Sequence, residues 1–476
     1  MKNRNVLPSV KLSIVPIVLL IVIILGIMMM LGADNVLNYS SYVLFAMAVF
    51  TLILSRVFHP CRWLLLRKGI GESARQILPA IPILILISTI SATWMLGGIV
   101  PTIIDYGLRV LNPQAFLVIA CLVCSVISVL VGSSWTTCAT IGVAFMGIGA
   151  VLGYNPACTA GAVISGAYFG DKISPLSDTT ILASSTVGVN LFSHVKYLMV
   201  TTLPSLFIAL IVFAIIGFTT DITDSIETNE MLQQLDATFH MSPWLLLAPV
   251  ITCALIVMRV KVLITLCIST LVGLASLFFA QPHIFAELSA ECGAVMAVVK
   301  LLCTSTVIET GDEMLNNLVS TSGIEGMLET IKLVLCAMLF GSTLLGTGML
   351  SSITHSLARR LSGLRKVVST TVGTGLVVNA CTGDQYLSLI IVGNLYKNLY
   401  AKCGLEPRLL SRSLEDSISV TSVLIPWNSC GMTQSTVLGV STFHYLPYCV
   451  FNYLCPIMSI VIAAIGLKIY RNINSL

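Results

Sequence analysis

From Leu12 to Leu31 the chain runs twenty residues without a charged side chain. A helix needs about 20 mostly apolar residues to cross a bilayer, and comparable stretches recur to the end of the sequence. Candidate spans cover 12–32, 40–56, 77–100, 114–131, 197–218, 243–258, 262–280, 288–307, 327–350 and 445–467. Only 10% of the 476 residues are charged, 56% are hydrophobic, and the mean hydropathy is +0.97. A soluble domain carries about 25% charged residues, so this chain lacks the polar material to cover a water-facing surface. The strict alternation of a transmembrane barrel is absent. The sequence therefore specifies an all-α polytopic membrane protein.

Lys2, Arg4 and Lys11 precede the first apolar run as in a signal peptide. Its core exceeds the roughly 7–15 residues of such a signal, so we read a retained helix that starts in the cytoplasm. The net charge of +4 is spread over several loops, which argues against a nucleic-acid partner. Fifteen Cys are scattered without metal-ligand spacing, and Cys121 and Cys124 read as soft packing residues on one helix. No cofactor motif is present: there is no phosphate-binding loop, HExxH zinc pattern or nucleophile elbow. An ATP-driven pump and the common hydrolases are thereby disfavoured.

Two regions, 132–196 and 368–444, remain apolar but are studded with Gly, Pro, Ser, Thr and Asp. At membrane depth such backbone is tolerated only inside protein or beside a cavity. The two regions repeat one another. Gly132 and Gly383, Gly153 and Gly404, Pro156 and Pro407, and Pro175 and Pro426 are each 251 residues apart. After a one-residue slip, Ser185-Thr-Val187 and His194 match Ser435-Thr-Val437 and His444 at 250.

Loop charges change sides between the halves. Loop 56–75 holds Arg56, Arg62, Arg67, Lys68 and Arg75, whereas 307–326 holds Glu309, Asp312, Glu313 and Glu325 without a Lys or Arg. Conversely, Arg109 is the single basic residue of 101–113, and 352–366 holds Arg359, Arg360, Arg365 and Lys366. Positive loops mark the cytoplasmic side, so the expected architecture is two inverted-topology repeats with re-entrant hairpins and broken helices. Arg259 with Lys261, and Lys468 with Arg471, run against that orientation. The expected division is 1–242 for the first repeat, including the acidic loop 219–242, then a linker helix 243–261, then 262–476 for the second.

The richest site lies in Gly166-Ala-Tyr-Phe-Gly-Asp-Lys-Ile-Ser-Pro-Leu-Ser-Asp-Thr-Thr180. Pro175 disrupts the helical turn before it and frees carbonyls, while Ser177, Asp178, Thr179 and Thr180 crowd oxygens there. That donor set suits a hard cation such as sodium. Asn428 stands opposite Asp178 at an offset of 250, followed by Ser429; Ser133 and Ser134, and Asp384, open the two irregular regions. Asp171, Asp384, Glu415 and Asp416 complete the acids of these regions, and intramembrane acids are functional suspects by default. Each also has a structural reading. Asp171 adjoins Lys172, Arg412 and Asp416 form an i,i+4 pair, and Asp384 suits a helix cap. His194 and His444 read as hydrogen-bonded structural residues, and the glycines from Gly142 to Gly153 as close helix packing.

Gly132-Ser-Ser-Trp135 and Ala160 to Thr180, with Leu414-Glu-Asp416, Leu424-Ile-Pro-Trp-Asn-Ser-Cys-Gly431 and Tyr445-Leu-Pro-Tyr448, resemble the two signatures of the NhaC-type sodium/proton antiporter family. The resemblance extends from about residue 10 to residue 467. It implies a multi-pass secondary transporter of the bacterial inner membrane, built from two inverted repeats and commonly dimeric. Its transported partners would be sodium and protons. Ile181 stands where the family often has Asn, which bears on cargo, and relatives of this family exchange organic acids such as malate and lactate.

The expected mechanism is competition of sodium and a proton for one carboxylate removed from water, since desolvation strengthens a carboxylate's hold on its proton. Asp178 is the expected shared group, with oxygens from Ser177, Thr179, Thr180, Ser133, Ser134 and Asn428, and Asp171 stands second. The rival reading is an organic-acid or amino-acid exchanger in the same fold.

Overall fold

The computed structural model describes residues 7–32, 36–58, 63–78, 80–220, 225–258, 260–290, 292–308, 316, 319–359 and 364–466. Among them all regular structure is helical, apart from one isolated bridge between Thr306 and Thr321. In the N-terminal half these are α1 (Val10–Leu31), α2 (Val36–Phe58), α3 (Trp63–Ile77), α4 (Ala80–Leu96), α5 (Ile99–Val110), α6 (Phe116–Val131), α7 (Ser134–Thr137), α8 (Val143–Val151), α9 (Pro156–Ile173), α10 (Asp178–Val187) and α11 (Leu191–Thr219). Next come α12 (Ser225–Thr238) and α13 (Leu247–Val257). The C-terminal half holds α14 (Val262–Ala280), α15 (Pro282–Ala290), α16 (Ala294–Cys303), α17 (Gly323–Gly346), α18 (Met349–Arg359), α19 (Leu364–Thr382), α20 (Gln385–Lys402), α21 (Pro407–Leu414), α22 (Ser429–Leu438), α23 (Thr442–Tyr445) and α24 (Val450–Ile465).

Seven helices among the described residues are long and apolar enough to cross a membrane, and three sharply bent pairs raise the number to ten. The expected span 77–100 stops at Leu96, bends by 66° and continues as α5 through residues expected to form a loop. The bend falls at Gly97 and Gly98, and Gly98 takes a φ of +76° that side chains rarely adopt. The expected span 288–307 is likewise split, into α15 and α16, by Gly293 at φ +81°. The charged loops 56–75 and 219–242 contain α3 and α12. Arg62, Arg259, Glu309, Asp312, Glu313, Arg360, Lys468 and Arg471, on which part of the orientation pattern rested, lie outside the described residues.

The backbone punctuation of the two halves coincides. Helix starts at Ser134 and Gln385, Pro156 and Pro407, and Asp178 and Ser429 are all separated by 251 residues. So are the left-handed glycines Gly132 and Gly383, Gly153 and Gly404, and Gly188 and Gly439. The one-residue slip suggested by the Ser-Thr-Val match is not kept by the backbone. Since α10 and α22 start and stop at one constant separation, Asp178 aligns with Ser429, and Asn428 aligns with Ser177.

Close packing depends on small residues. A side chain at Gly166 or Gly170 of α9 would run into the α6 backbone at Cys121 or at Ser125 and Val129. Gly142 and Gly149 similarly lie against Val163 and Thr159, the close packing expected there. Cys121 and Cys124 are free thiols buried on α6.

The halves interlock. α10 packs on α20, and Ala183 and Val187 join a core dominated by C-terminal helices. In return Cys430 and Leu438 of α22 join the core of the N-terminal half, where α22 lies against the π-helical turn Cys138–Gly142. A Gly166→Leu substitution is expected to force α6 and α9 apart, and overpacking of this kind costs about 1–3 kcal/mol or more. Gly373→Ala, in α19 with open space around the added carbon, is expected to be neutral. Melting temperatures of the purified variants in detergent check the contrast.

Candidate functional site

Helix α9 ends at Ile173 because Pro175 cannot continue it, and the chain crosses Ser174–Ser177 before α10 begins. Ser174 ties the break to the end of α6, its hydroxyl donating to the Val129 carbonyl at 2.7 Å. Thr180 donates to the carbonyl of Lys172 at 3.0 Å, satisfying one of the acceptors the break exposes. Gly132 lets the start of α7 approach this segment: at φ +68° it lies against Leu176, and a Cβ there would sit 2.7 Å from the Leu176 backbone.

Asp171 projects from the last turn of α9. Ser134 donates its hydroxyl to one carboxylate oxygen at 2.8 Å, and the other oxygen is buried and accepts no hydrogen bond among the described residues. The Ser177 hydroxyl lies beside Asp171, and the charge of Asp178 is felt there. Ser177 is itself buried and shares a hydrogen bond of 3.0 Å with Thr179. Asp178, in the first turn of α10, is exposed. The two acids thus differ in depth: Asp171 is half-buried, with one oxygen fully buried, and Asp178 stands at the rim. Ser133 caps α7 by accepting from the Thr136 amide. Beside the break, a cavity of about 160 Å³ is lined by Val131, Thr136, Leu176, Ile256, Val262 and Thr265.

The second break is held more tightly. Asn428 caps α22 through the Cys430 amide and donates to Asn379 at 2.9 Å, while Asn379 donates to the Ile418 carbonyl. Trp427 donates to the Ala380 carbonyl, and the Ser429 amide to the Gly383 carbonyl. Asp384 caps α20, accepting from the Leu387 amide at 2.8 Å, as one reading of the sequence anticipated. The side chain of Asn428 is therefore engaged in holding the break.

Lys172 turns away from Asp171, because consecutive residues on a helix point about 100° apart. It crosses to the other half and pairs with Asp416 at 2.5 Å, with both groups fully buried. Charge compensation between Asp171 and Lys172 is thus replaced by a long-range pair. Thr201 of α11 also donates to Asp416 at 2.9 Å. The i,i+4 partner Arg412 stands farther off at 3.7 Å, with its guanidinium over the ring of Tyr197. His194 has the structural role expected for it, sharing a hydrogen bond of 2.8 Å with Ser411. Glu415 and Asp416 open a π-helical turn, Glu415–Ser419, a distortion common at functional positions.

Sequence reasoning missed Thr201, and it missed Tyr386 and Cys430, which lie near both Asp171 and Asp384. One available signal was Lys172 itself. No acid stands three or four residues from it in either direction, so a buried lysine there requires a distant partner.

Paired helix breaks that gather hydroxyls and carboxylates inside an apolar bundle are the architecture a multi-pass membrane transporter requires. The sequence model of the Na+/H+ antiporter family matches residues 4–198 and 166–467, and the chain belongs to that family. It is 36% identical over 387 residues to the Na+/H+ antiporter NhaC of Alkalihalophilus pseudofirmus, covering 81% of this chain and 82% of that one. It is 35% identical over 425 residues to the arginine/ornithine antiporter ArcD of Halobacterium salinarum, covering 88% and 86%. A third relative is the malate-2H+/Na+-lactate antiporter of Bacillus subtilis, 32% identical over 412 residues and 86% of each chain.

Removing one partner from a buried ion pair leaves an uncompensated charge, at a cost of about 3–5 kcal/mol. Lys172→Met is expected to destabilise the protein by that order, and adding Asp416→Asn in the same chain to restore part of the loss. Thermal melts of the single and double variants measure the coupling.

Proposed function

We propose that this chain exchanges sodium ions for protons across the bacterial cytoplasmic membrane, with Asp171 as the carboxylate that both ions contest. One observation carries the choice: the half-buried Asp171 has one oxygen oriented by Ser134, and its other oxygen is fully buried and makes no direct hydrogen bond among the described residues. Ser177 adds an oxygen beside it, with Thr179 hydrogen-bonded to Ser177, and Ser133 caps the helix that carries Ser134. Sodium and a proton cannot both occupy one carboxylate, so competition there, with access alternating between the two faces, is sufficient for exchange. The NhaC relative's activity supports this cargo.

In this reading the halves 1–242 and 262–476 form inverted repeats joined by 243–261, and the protein works as a homodimer. The constant spacing of helix starts supports the repeat.

A second reading, exchange of organic acids or amino acids, is favoured by Arg412. Its guanidinium is fully buried, and its nitrogens make no hydrogen bond among the described residues. The ArcD and malate/lactate relatives point the same way.

Proteoliposomes separate the two by following sodium-dependent proton release beside uptake of labelled malate, lactate and arginine. Sodium-driven proton release without organic uptake is expected. Asp171→Asn is expected to abolish it at an unchanged level of inserted protein, and Asp178→Asn to weaken it. Full activity in Asp171→Asn would overturn the assignment.

A further inference from the structure

Around the ion pair described above lie more charges than the pair accounts for. Glu415 is fully buried, and neither of its carboxylate oxygens makes a direct hydrogen bond among the described residues. The ionisable groups that act on it are Lys172 and Asp171 from α9 and Asp416 from its own π turn, with the Ser419 hydroxyl also beside it. Asp416 is already committed to Lys172 and Thr201, and Arg412 flanks it. Cys455 of α24 faces Lys172.

Charge balance then limits what this group of residues can do. A net charge in a low-dielectric interior is costly, so the group favours neutrality. Lys172 and Arg412 supply two positive charges, and Asp416 cancels one. One further negative charge balances the set, yet two acids, Asp171 and Glu415, are available for it; Asp178, exposed at the rim, stands outside the buried set. Without sodium, one of the two must therefore hold a proton. When sodium binds at Asp171 it brings the charge that allows both to ionise.

From this arrangement we infer that Glu415 is a second proton-binding group, which holds the exchanged proton when Asp171 is without sodium and releases it when Asp171 binds sodium. The inference rests on the assignment of sodium to Asp171 and changes where the proton resides. One sodium ion enters at Asp171, one proton leaves the Glu415 carboxyl group to water on the open side, and the buried charge stays the same. Asp171 and Glu415 come from opposite halves of the chain, so exchange depends on both. A single shared carboxylate would depend on one.

Glu415→Gln keeps the shape and fixes the side chain in the uncharged form. In proteoliposomes, Glu415→Gln is expected to lose sodium-driven proton release. Labelled sodium is expected still to bind, more weakly than in the wild type and without dependence on pH. Glu415→Asp restores a carboxylate and is expected to recover part of the proton release, which a purely structural role for the longer side chain would not predict. Wild-type proton release in Glu415→Gln overturns the inference, and so does loss of sodium binding in that variant, which would make Glu415 part of the sodium site or of the fold. Failure of the underlying assignment has a different signature: Asp171→Asn would then bind labelled sodium as the wild type does.

Discussion

Lys172 and Asp416 are 244 residues apart in sequence and meet at 2.5 Å with neither exposed to solvent. Burying two charges costs several kcal/mol per ion before their attraction is counted. The pair therefore need not add to stability, but once the bundle has formed neither member can be left alone. It fixes the broken helix of the N-terminal half against the π turn of the C-terminal half. Thr201 joins α11 to the same carboxylate, and His194 with Ser411 makes a second link from α11 to α21. These contacts set the depth at which Asp171, one residue before Lys172, enters the bundle.

The breaks themselves are built by opposite means. The first is tied to α6 and to the end of α9 by Ser174 and Thr180, yet leaves one oxygen of Asp171 without a hydrogen bond among the described residues and borders a small cavity. At the second break Asn379, Asn428, Trp427 and Gly383 bond to one another or to neighbouring backbone, which leaves that segment well anchored. Acids have exchanged places as well. Asp171 aligns with Ser422, whereas Asp384 aligns with Ser133, each at the 251-residue spacing. Two similar backbones therefore carry different chemistry, with one suited to receiving an ion and the other to holding its position.

Much of the fold was legible because lipid imposes a simple rule: uncharged stretches become helices, and polar interruptions gather where protein surrounds them. That rule located both irregular regions and most of the spans. It failed at α5, because Gly97 and Gly98 allow a 66° bend inside a continuous apolar run. The site was legible as a set of residues but not as a ranking. Asp178 stood out for its neighbours in sequence, yet Asp171 is the more deeply enclosed, because burial depends on which way a helix faces and what packs on it.

The sequence by itself determined the membrane setting, the helical class, the family signatures and the recurrence of glycines and prolines 251 residues apart, since each follows from composition or local backbone chemistry. Only the tertiary structure decided which charges meet. Asp171 faces Ser134, Lys172 faces Asp416, and both Asp171 and Lys172 act on Glu415 because the Lys172 side chain reaches across to the π turn of the other half. Such pairings arise from packing between distant segments, where the cost of leaving a buried charge alone selects the partner.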